Sequence, residues 1–129
     1  MKSFELMQSP LAGVQLIEAG AGTGKTYNIA ALFLRLIVER GLGIHEILVV
    51  TYTKAATEEL KSRIRHRLVS AKTCLIYGSL DKLVDAIVER CGDRDIALQR
   101  IVDALTDFDR AAIFTIHGFC QRLLNHFCL

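Results

Sequence analysis

The sequence is poor in aromatic residues and in proline. Tryptophan is absent, proline occurs once in 129 residues, and aromatic side chains make up 7% of the chain. No apolar run approaches the ~18 residues that a membrane-spanning helix needs. The start, MKSFELMQSP, also lacks the continuous apolar stretch of a secretory signal. We therefore expect a cytoplasmic protein that contacts no membrane, and the 51% apolar content predicts one globular domain.

Cysteine is present but is not arranged for chemistry. The four cysteines, Cys74, Cys91, Cys120 and Cys128, form no C-x-x-C pair and have no metal-ligand spacing with the four histidines. This pattern argues against a redox or zinc site. We expect buried free thiols.

Charge is distributed unevenly along the chain. The net charge of +2 is too small to imply a polyanionic partner. Residues 54–72, however, form a basic zone with six lysines and arginines against two glutamates, whereas residues 79–110 contain eight acidic and five basic side chains. A solvated helix face and a DNA contact both remain open for the basic residues between 61 and 67.

Strand and helix patterns alternate along the chain, which predicts an α/β fold with a parallel sheet. The predicted strands are VQLIEA (14–19), EILVVTYT (46–53) and AAIFTI (111–116), and helical patterns follow each of them. The continuous apolar run 47–50 predicts a strand buried on both faces. Residues 79–110 predict two amphipathic helices that turn at Gly92, which we interpret as an inserted helical hairpin.

The stretch EAGAGTGKT (18–26) predicts a phosphate-binding loop. Backbone N–H groups can surround a phosphate only where side chains leave room, and glycines at 20, 22 and 24 remove those side chains. The loop leaves a strand and enters a helix start, which favours an anion. Lys25 adds a full positive charge, and Thr26 offers a hydroxyl ligand for phosphate-bound Mg²⁺. The pattern is a P-loop in which Ala19 replaces the first glycine, and it predicts binding of ATP or GTP.

Two further polar stretches follow the second and third predicted strands. TYTKAATEEL (51–60) and FTIHGF (114–119) lie at the carboxyl ends of these strands, the sheet edge at which α/β proteins bind ligands. Hydroxyls of Thr51, Thr53 and Thr115 and the imidazole of His117 could bond phosphate oxygens there. Helix capping is an equally good interpretation of the threonines.

These three stretches together resemble the motifs of a helicase family. AGAGTGKT, VVTYTKAATEEL and AAIFTIHGFCQRLL are similar to motifs I, Ia and Ib of UvrD-like superfamily 1 helicases, and most similar to the RecB-type beta subunits of exodeoxyribonuclease V. The resemblance runs from Leu11 to Leu124. Ala19 is usual in this superfamily, and Tyr27 favours the RecB type.

The resemblance implies a RecA-like first motor domain, called 1A, that uses ATP and Mg²⁺. It assigns Lys25 and Thr26 to the triphosphate and Mg²⁺ as catalytic residues, and Thr53, Thr115 and His117 to DNA. It also implies action in DNA double-strand break repair, with single- or double-stranded DNA and further subunits of an exodeoxyribonuclease V-like complex as partners. The nucleotide-binding set that it implies is Ala19, Gly20, Ala21, Gly22, Thr23, Gly24, Lys25 and Thr26. An adenine-contacting glutamine is expected before the loop, where Gln8 and Gln15 are available.

The carboxylate pair that ATP hydrolysis requires is missing from the sequence. Such a pair normally ends a buried strand, but Asp107 and Asp109 follow residues with helical spacing. We therefore expect the amino-terminal part of a longer helicase, inactive by itself. The alternatives are a free-standing P-loop module that binds nucleotide or single-stranded DNA without turnover and, less favoured because no N-K-x-D motif is present, a small kinase or GTPase.

Overall fold

Three parallel strands form the sheet of the protein. The computed structural model describes residues 18–19, 23–78 and 80–127, with side chains described over 28–78 and 80–125. The strands are β1 (Glu18–Ala19), β2 (Leu48–Thr51) and β3 (Ala112–Thr115), in the order β1-β2-β3. Both pairings are parallel, with Thr51 opposite Ala19 on one side and Thr115 on the other. This confirms the predicted α/β class and the parallel sheet; residues 14–17 of the first predicted strand lie outside the described residues.

Helices follow the strands in the predicted order. They are α1 (Thr23–Arg40), α2 (Lys54–Tyr77), α3 (Lys82–Cys91), α4 (Arg94–Thr106) and α5 (Ile116–Phe127), and 3-10 turns at Ile44–Glu46 and Phe108–Arg110 precede β2 and β3. Gly41, Gly78 and Gly92 follow α1, α2 and α3 with φ of +67°, +73° and +85°. Residues with a side chain rarely adopt this backbone conformation, so these glycines set where the helices end.

Helix α1 lies at the centre of the core. Its residues from Ile29 to Val38 are all buried except Leu36, which is half-buried. Helix α1 contacts strand β1 on one side, and α2, α3 and α4 pack around the rest of it. Val84, Ile87 and Ile101 of the α3–α4 hairpin belong to the same buried cluster. The two helices predicted for residues 79–110 are therefore present and share the core with α1, while their interpretation as an insertion stays a prediction.

The prediction that β2 is buried on both faces was wrong. Its residues alternate, with Val49 and Thr51 buried and Leu48 and Val50 half-buried. Ile113 of β3 lies on the buried face, whereas Phe114 is half-buried on the other. Within the described residues, α1 and α2 contact the strands directly, and α3 and α4 pack on these two helices. On the half-buried side, Arg122 of α5 lies over the ring of Phe114.

The cysteines are less buried than expected. Cys74 and Cys91 are half-buried and Cys120 is exposed, so the prediction of buried thiols was wrong for these three; Cys128 lies outside the described residues. In the described part of the chain, no helix is both long enough and apolar enough to traverse a bilayer.

Candidate nucleotide and nucleic-acid site

Three helices begin at the same edge of the sheet. Helices α1, α2 and α5 each follow the carboxyl end of a strand, and because the strands are parallel these ends lie side by side. The first turn of a helix has free N–H groups and a partial positive charge. This edge, which we call the rim, therefore suits a ligand with several negative charges.

The nucleotide-binding residues predicted from the sequence lie at the first of these helix starts. Strand β1 ends at Ala19 and α1 begins at Thr23, so Thr23, Gly24, Lys25 and Thr26 form the first turn of α1. A lysine followed by a hydroxyl residue, in the first turn of a helix that three residues separate from a strand, fits triphosphate and Mg²⁺. The agreement of these residues with a triphosphate site therefore depends on the order of strand, loop and helix. Outside the described residues lie Gln8, Gln15, Gly20, Ala21 and Gly22, as well as the side chains of 23–27.

Thr53 caps the start of α2. Its hydroxyl oxygen accepts a hydrogen bond from the backbone N–H of Ala56 at 3.0 Å, and its backbone carbonyl accepts from the hydroxyl of Thr57 at 3.0 Å. The residue is exposed at the rim. Capping occupies the hydroxyl as an acceptor, so its O–H can still donate to a phosphate oxygen. Capping by Thr53 is confirmed, and its contact with DNA stays a prediction.

Thr51 is not available to a ligand. Only 1% of the residue is exposed, and its hydroxyl is hydrogen-bonded to the hydroxyl of Thr57 and to the backbone carbonyls of Thr53 and Phe114. These bonds connect the end of β2 to α2 and to β3. The prediction that Thr51 could contact phosphate was therefore wrong, because its hydroxyl is buried and hydrogen-bonded inside the protein.

Thr115 and His117 lie at the start of α5. The hydroxyl oxygen of half-buried Thr115 accepts from the backbone N–H of Gly118 at 3.0 Å, so it caps α5 as Thr53 caps α2. His117 is exposed in the first turn of α5. The structure thus brings Thr53, Thr115 and His117 to one edge, as the sequence predicted, while their role toward DNA stays a prediction.

Sequence reasoning overlooked Tyr52 as a rim residue. Tyr52 is 57% exposed between buried Thr51 and exposed Thr53. An exposed aromatic ring beside helix starts can stack on a nucleobase. The signal was available in TYT, where an aromatic residue directly follows the buried end of a strand.

None of the described strands ends in an acidic residue. Strands β1, β2 and β3 end at Ala19, Thr51 and Thr115. Asp107 directly follows α4 and Asp109 lies in the 3-10 turn before β3, at the opposite edge of the sheet, which confirms that they are not a strand-end pair. Over 18–19, 23–78 and 80–127, no three His, Cys, Asp or Glu side chains are grouped as metal ligands.

Comparison with known proteins identifies the family. The model of the UvrD/REP helicase N-terminal domain matches residues 2–128. The chain belongs to the UvrD/REP helicase family. Among its relatives are three proteins named RecBCD enzyme subunit RecB: from Escherichia coli K12 (44% identical over 96% of this chain), from Haemophilus influenzae (43% over 92%) and from Mycolicibacterium smegmatis (36% over 97%).

The match covers a small part of these relatives. The aligned region amounts to 11% of the Escherichia coli and Haemophilus influenzae proteins and 12% of the Mycolicibacterium smegmatis protein. The resemblance to UvrD-like helicases and RecB-type subunits found in the motifs is thereby confirmed. The relatives bear the name of subunits of the RecBCD enzyme.

Proposed function

We propose that this chain is the ATP-binding, amino-terminal part of motor domain 1A, with a RecA-like core, in an ATP-dependent DNA helicase and exonuclease subunit. The observation that carries the proposal is the rim, where α1, α2 and α5 begin beside one another after parallel strands. Membership of the UvrD/REP helicase family supports it.

In this proposal the nucleotide binds at the start of α1. The backbone from Ala19 to Thr26 surrounds the phosphates, Lys25 neutralises the outer ones, and Thr26 provides an oxygen ligand to Mg²⁺. The place of Lys25 and Thr26 in the first helical turn supports these roles. ATP with Mg²⁺ is therefore the proposed ligand.

DNA lies across the starts of α2 and α5. The hydroxyls of Thr53 and Thr115 donate to phosphate oxygens while they cap their helices, His117 adds a further donor, and Tyr52 stacks on a base. The exposure of Thr53, His117 and Tyr52 supports this assignment. Such contacts do not distinguish sequences, as suits an enzyme that moves along DNA.

Turnover requires parts that the described chain does not provide. No described strand ends in an acidic residue, so none of them provides the strand-end carboxylate pair that holds Mg²⁺ through water and activates the attacking water. We propose that the chain binds nucleotide without significant hydrolysis. The longer protein would act in break repair and recombination with partner subunits, by analogy with relatives named as RecBCD subunits.

A second candidate function is a free-standing module that binds nucleotide or single-stranded DNA without turnover. The same lack of an acidic strand end favours it. A reading frame that continues past Leu129 into a strand ending in Asp-Glu would favour the motor. A stop codon would favour the module.

Binding of Mg-ATP to the whole chain tests the nucleotide site. Fluorescence of a labelled ATP analogue is titrated against the unaltered chain, Lys25→Ala and Lys82→Ala. Lys82 is a matched control because it is an exposed lysine in the first turn of another helix, α3. We expect binding to be lost in Lys25→Ala and unchanged in Lys82→Ala, with negligible ATPase in all three. Equal binding by Lys25→Ala would contradict the assignment.

A further inference from the structure

Helix α2 carries a line of positive charge that starts at the rim. Lys54, Lys61, Arg65 and Lys72 are spaced by seven, four and seven residues, and at 100° per residue they fall within about 40° of one another around the helix. All four are exposed or half-buried. At 1.5 Å per residue the line extends about 27 Å along α2. We call these four residues the α2 stripe.

In the described part of the chain, three of the four stripe residues have no internal polar partner. Lys54, Arg65 and Lys72 make no hydrogen bond or ion pair with any residue in the described part of the chain. By contrast, the following arginines serve the fold: Arg35 and Arg90 with Glu39, Arg67 with Asp81, Arg94 with the carbonyl of Leu75, and Arg100 with the carbonyl of Val38.

The basic zone of the sequence also contains two arginines outside the stripe. Arg63 is exposed but lies about 180° from Lys54 around the helix. Arg67, counted in that zone, is 15% exposed and pairs with Asp81 at 3.2 Å. Glu58 is the acidic neighbour of the stripe, and its carboxylate lies 3.7 Å from the ammonium of Lys61. This carboxylate is 75% exposed, so the pair is weak and readily exchanged for another anion.

We infer that the α2 stripe binds the phosphate backbone of a DNA strand that continues from the rim down the length of α2. The inference rests on the proposed function, because Lys54 directly follows Thr53 and so joins the stripe to the proposed DNA contacts. Three of the four residues are lysines, which bind phosphates as point charges without a fixed geometry. Binding should therefore depend strongly on salt and little on base sequence.

The length of the stripe leads to a test with oligonucleotides. Thymidine oligomers of about five and about fifteen nucleotides, within the range of single-strand sites, are titrated by fluorescence anisotropy against the whole chain at several salt concentrations. The test variant is Lys61→Ala/Arg65→Ala/Lys72→Ala. The control variant, Arg40→Ala/Lys82→Ala/Arg110→Ala, removes the same charge from exposed positions outside α2.

We expect the test variant to bind the longer oligomer at least about tenfold more weakly and to lower its salt slope by roughly two, because three phosphate contacts are lost. Its affinity for the shorter oligomer, which the rim alone can hold, should change little. Equal weakening for both lengths, or equal weakening in the control variant, would contradict DNA binding by the α2 stripe but not DNA binding at the rim. If the unaltered chain bound neither oligomer, both DNA binding by the α2 stripe and the proposed DNA function would be contradicted.

Two further variants separate a charge effect from damage to the helix. Lys61→Arg/Lys72→Arg keeps both charges and should bind the longer oligomer as the unaltered chain does. Glu58→Gln removes the competing carboxylate beside Lys61 and should tighten that binding several-fold. Weaker binding by Glu58→Gln would contradict DNA binding by the α2 stripe, even if the variant with three alanines in the stripe failed to fold.

Discussion

Thr53 and Thr115 cap neighbouring helices from the ends of neighbouring strands. The hydroxyl of Thr53 accepts from the N–H of Ala56, and that of Thr115 accepts from the N–H of Gly118, each at 3.0 Å. Thr115 lies opposite Thr51, two residues before Thr53, in the parallel register. A structural role and a proposed ligand role therefore coincide at both positions, and an experiment on either residue must separate them.

Substitutions at Thr53 can make that separation. Thr53→Ala removes the cap and should lower the free energy of unfolding by about 1 kcal/mol. Thr53→Asp keeps an N-cap acceptor and adds a negative charge, so stability should be retained while DNA phosphates are repelled. Urea unfolding and oligonucleotide anisotropy measure the two effects. Thr53→Ser, which keeps the hydroxyl and adds no charge, is the control. If Thr53→Asp and Thr53→Ser had equal affinity for DNA, Thr53 would serve only as a helix cap.

The order of the elements was predictable from the sequence because its signals are local. Glycines at 41 and 92 mark the ends of α1 and α3, and both adopt the positive φ that favours glycine. Leu60, Ile64 and Leu68 recur at helical spacing and are buried on α2. Each signal acts within a few residues, so one sequence suffices to detect it.

The exposure of the rim threonines was not predictable in the same way. Thr51 and Thr53 are two residues apart with the same side chain, yet Thr51 is buried and Thr53 exposed. Pairing with β3 decides this, because the hydroxyl of Thr51 bonds the carbonyl of Phe114, 63 residues away. The apolar run in β2 likewise gives no sign that Leu48 and Val50 face a partly covered side. Long-range packing determines these features, and no local pattern encodes it.

Asp81 should make stability depend on pH. Burial raises the pKa of this carboxyl group, but the backbone N–H of Val84 and the guanidinium of Arg67 outweigh it, so its pKa lies below the ordinary 3.8. A lowered pKa in the folded state stabilises the protein above pH ~4, and this contribution is lost as the pH falls through the folded pKa. The loss of stability is measured by comparing the midpoint of urea unfolding at pH 6 with that below pH 3.8.

Asp81→Asn isolates the charge of this residue from its capping role. Asparagine still accepts from the backbone N–H groups of Leu83 and Val84 as an N-cap, but it cannot titrate. The difference between the two urea midpoints should therefore shrink in Asp81→Asn. An unchanged difference would show that other carboxylates cause the acid sensitivity.

Gly41 and Gly78 should differ in their tolerance of alanine. Both have positive φ, which costs a residue with a side chain about 1 to 2 kcal/mol. A Cβ at Gly78 meets nothing within 4 Å, whereas one at Gly41 lies 3.1 Å from the guanidinium of Arg100. That guanidinium is held by the carbonyl of Val38 at 2.5 Å, so it cannot move without weakening this bond. Thermal unfolding should show a larger loss for Gly41→Ala, and equal losses would contradict the contact with Arg100.

The ion pair of Arg35 and Glu39 should be costly to break from one side. Arg35 is 2% exposed and its Nε lies 2.9 Å from the carboxylate of Glu39. Glu39→Ala removes one carboxylate partner of a buried guanidinium that keeps other contacts, so the free energy of unfolding should fall by up to about 3 kcal/mol. Glu58→Ala is the matched control, because its pair with Lys61 is exposed and worth less than about 1 kcal/mol.

Replacing both members of this pair shows whether the charge itself stabilises the core. Apolar side chains of similar volume often substitute for a buried ion pair without loss. Arg35→Met/Glu39→Leu should therefore recover much of the stability lost in Glu39→Ala when urea unfolding is compared. If Glu39→Ala cost no more than Glu58→Ala, the guanidinium of Arg35 would have to be accommodated by its other contacts, and Glu39 would not be needed to bury it.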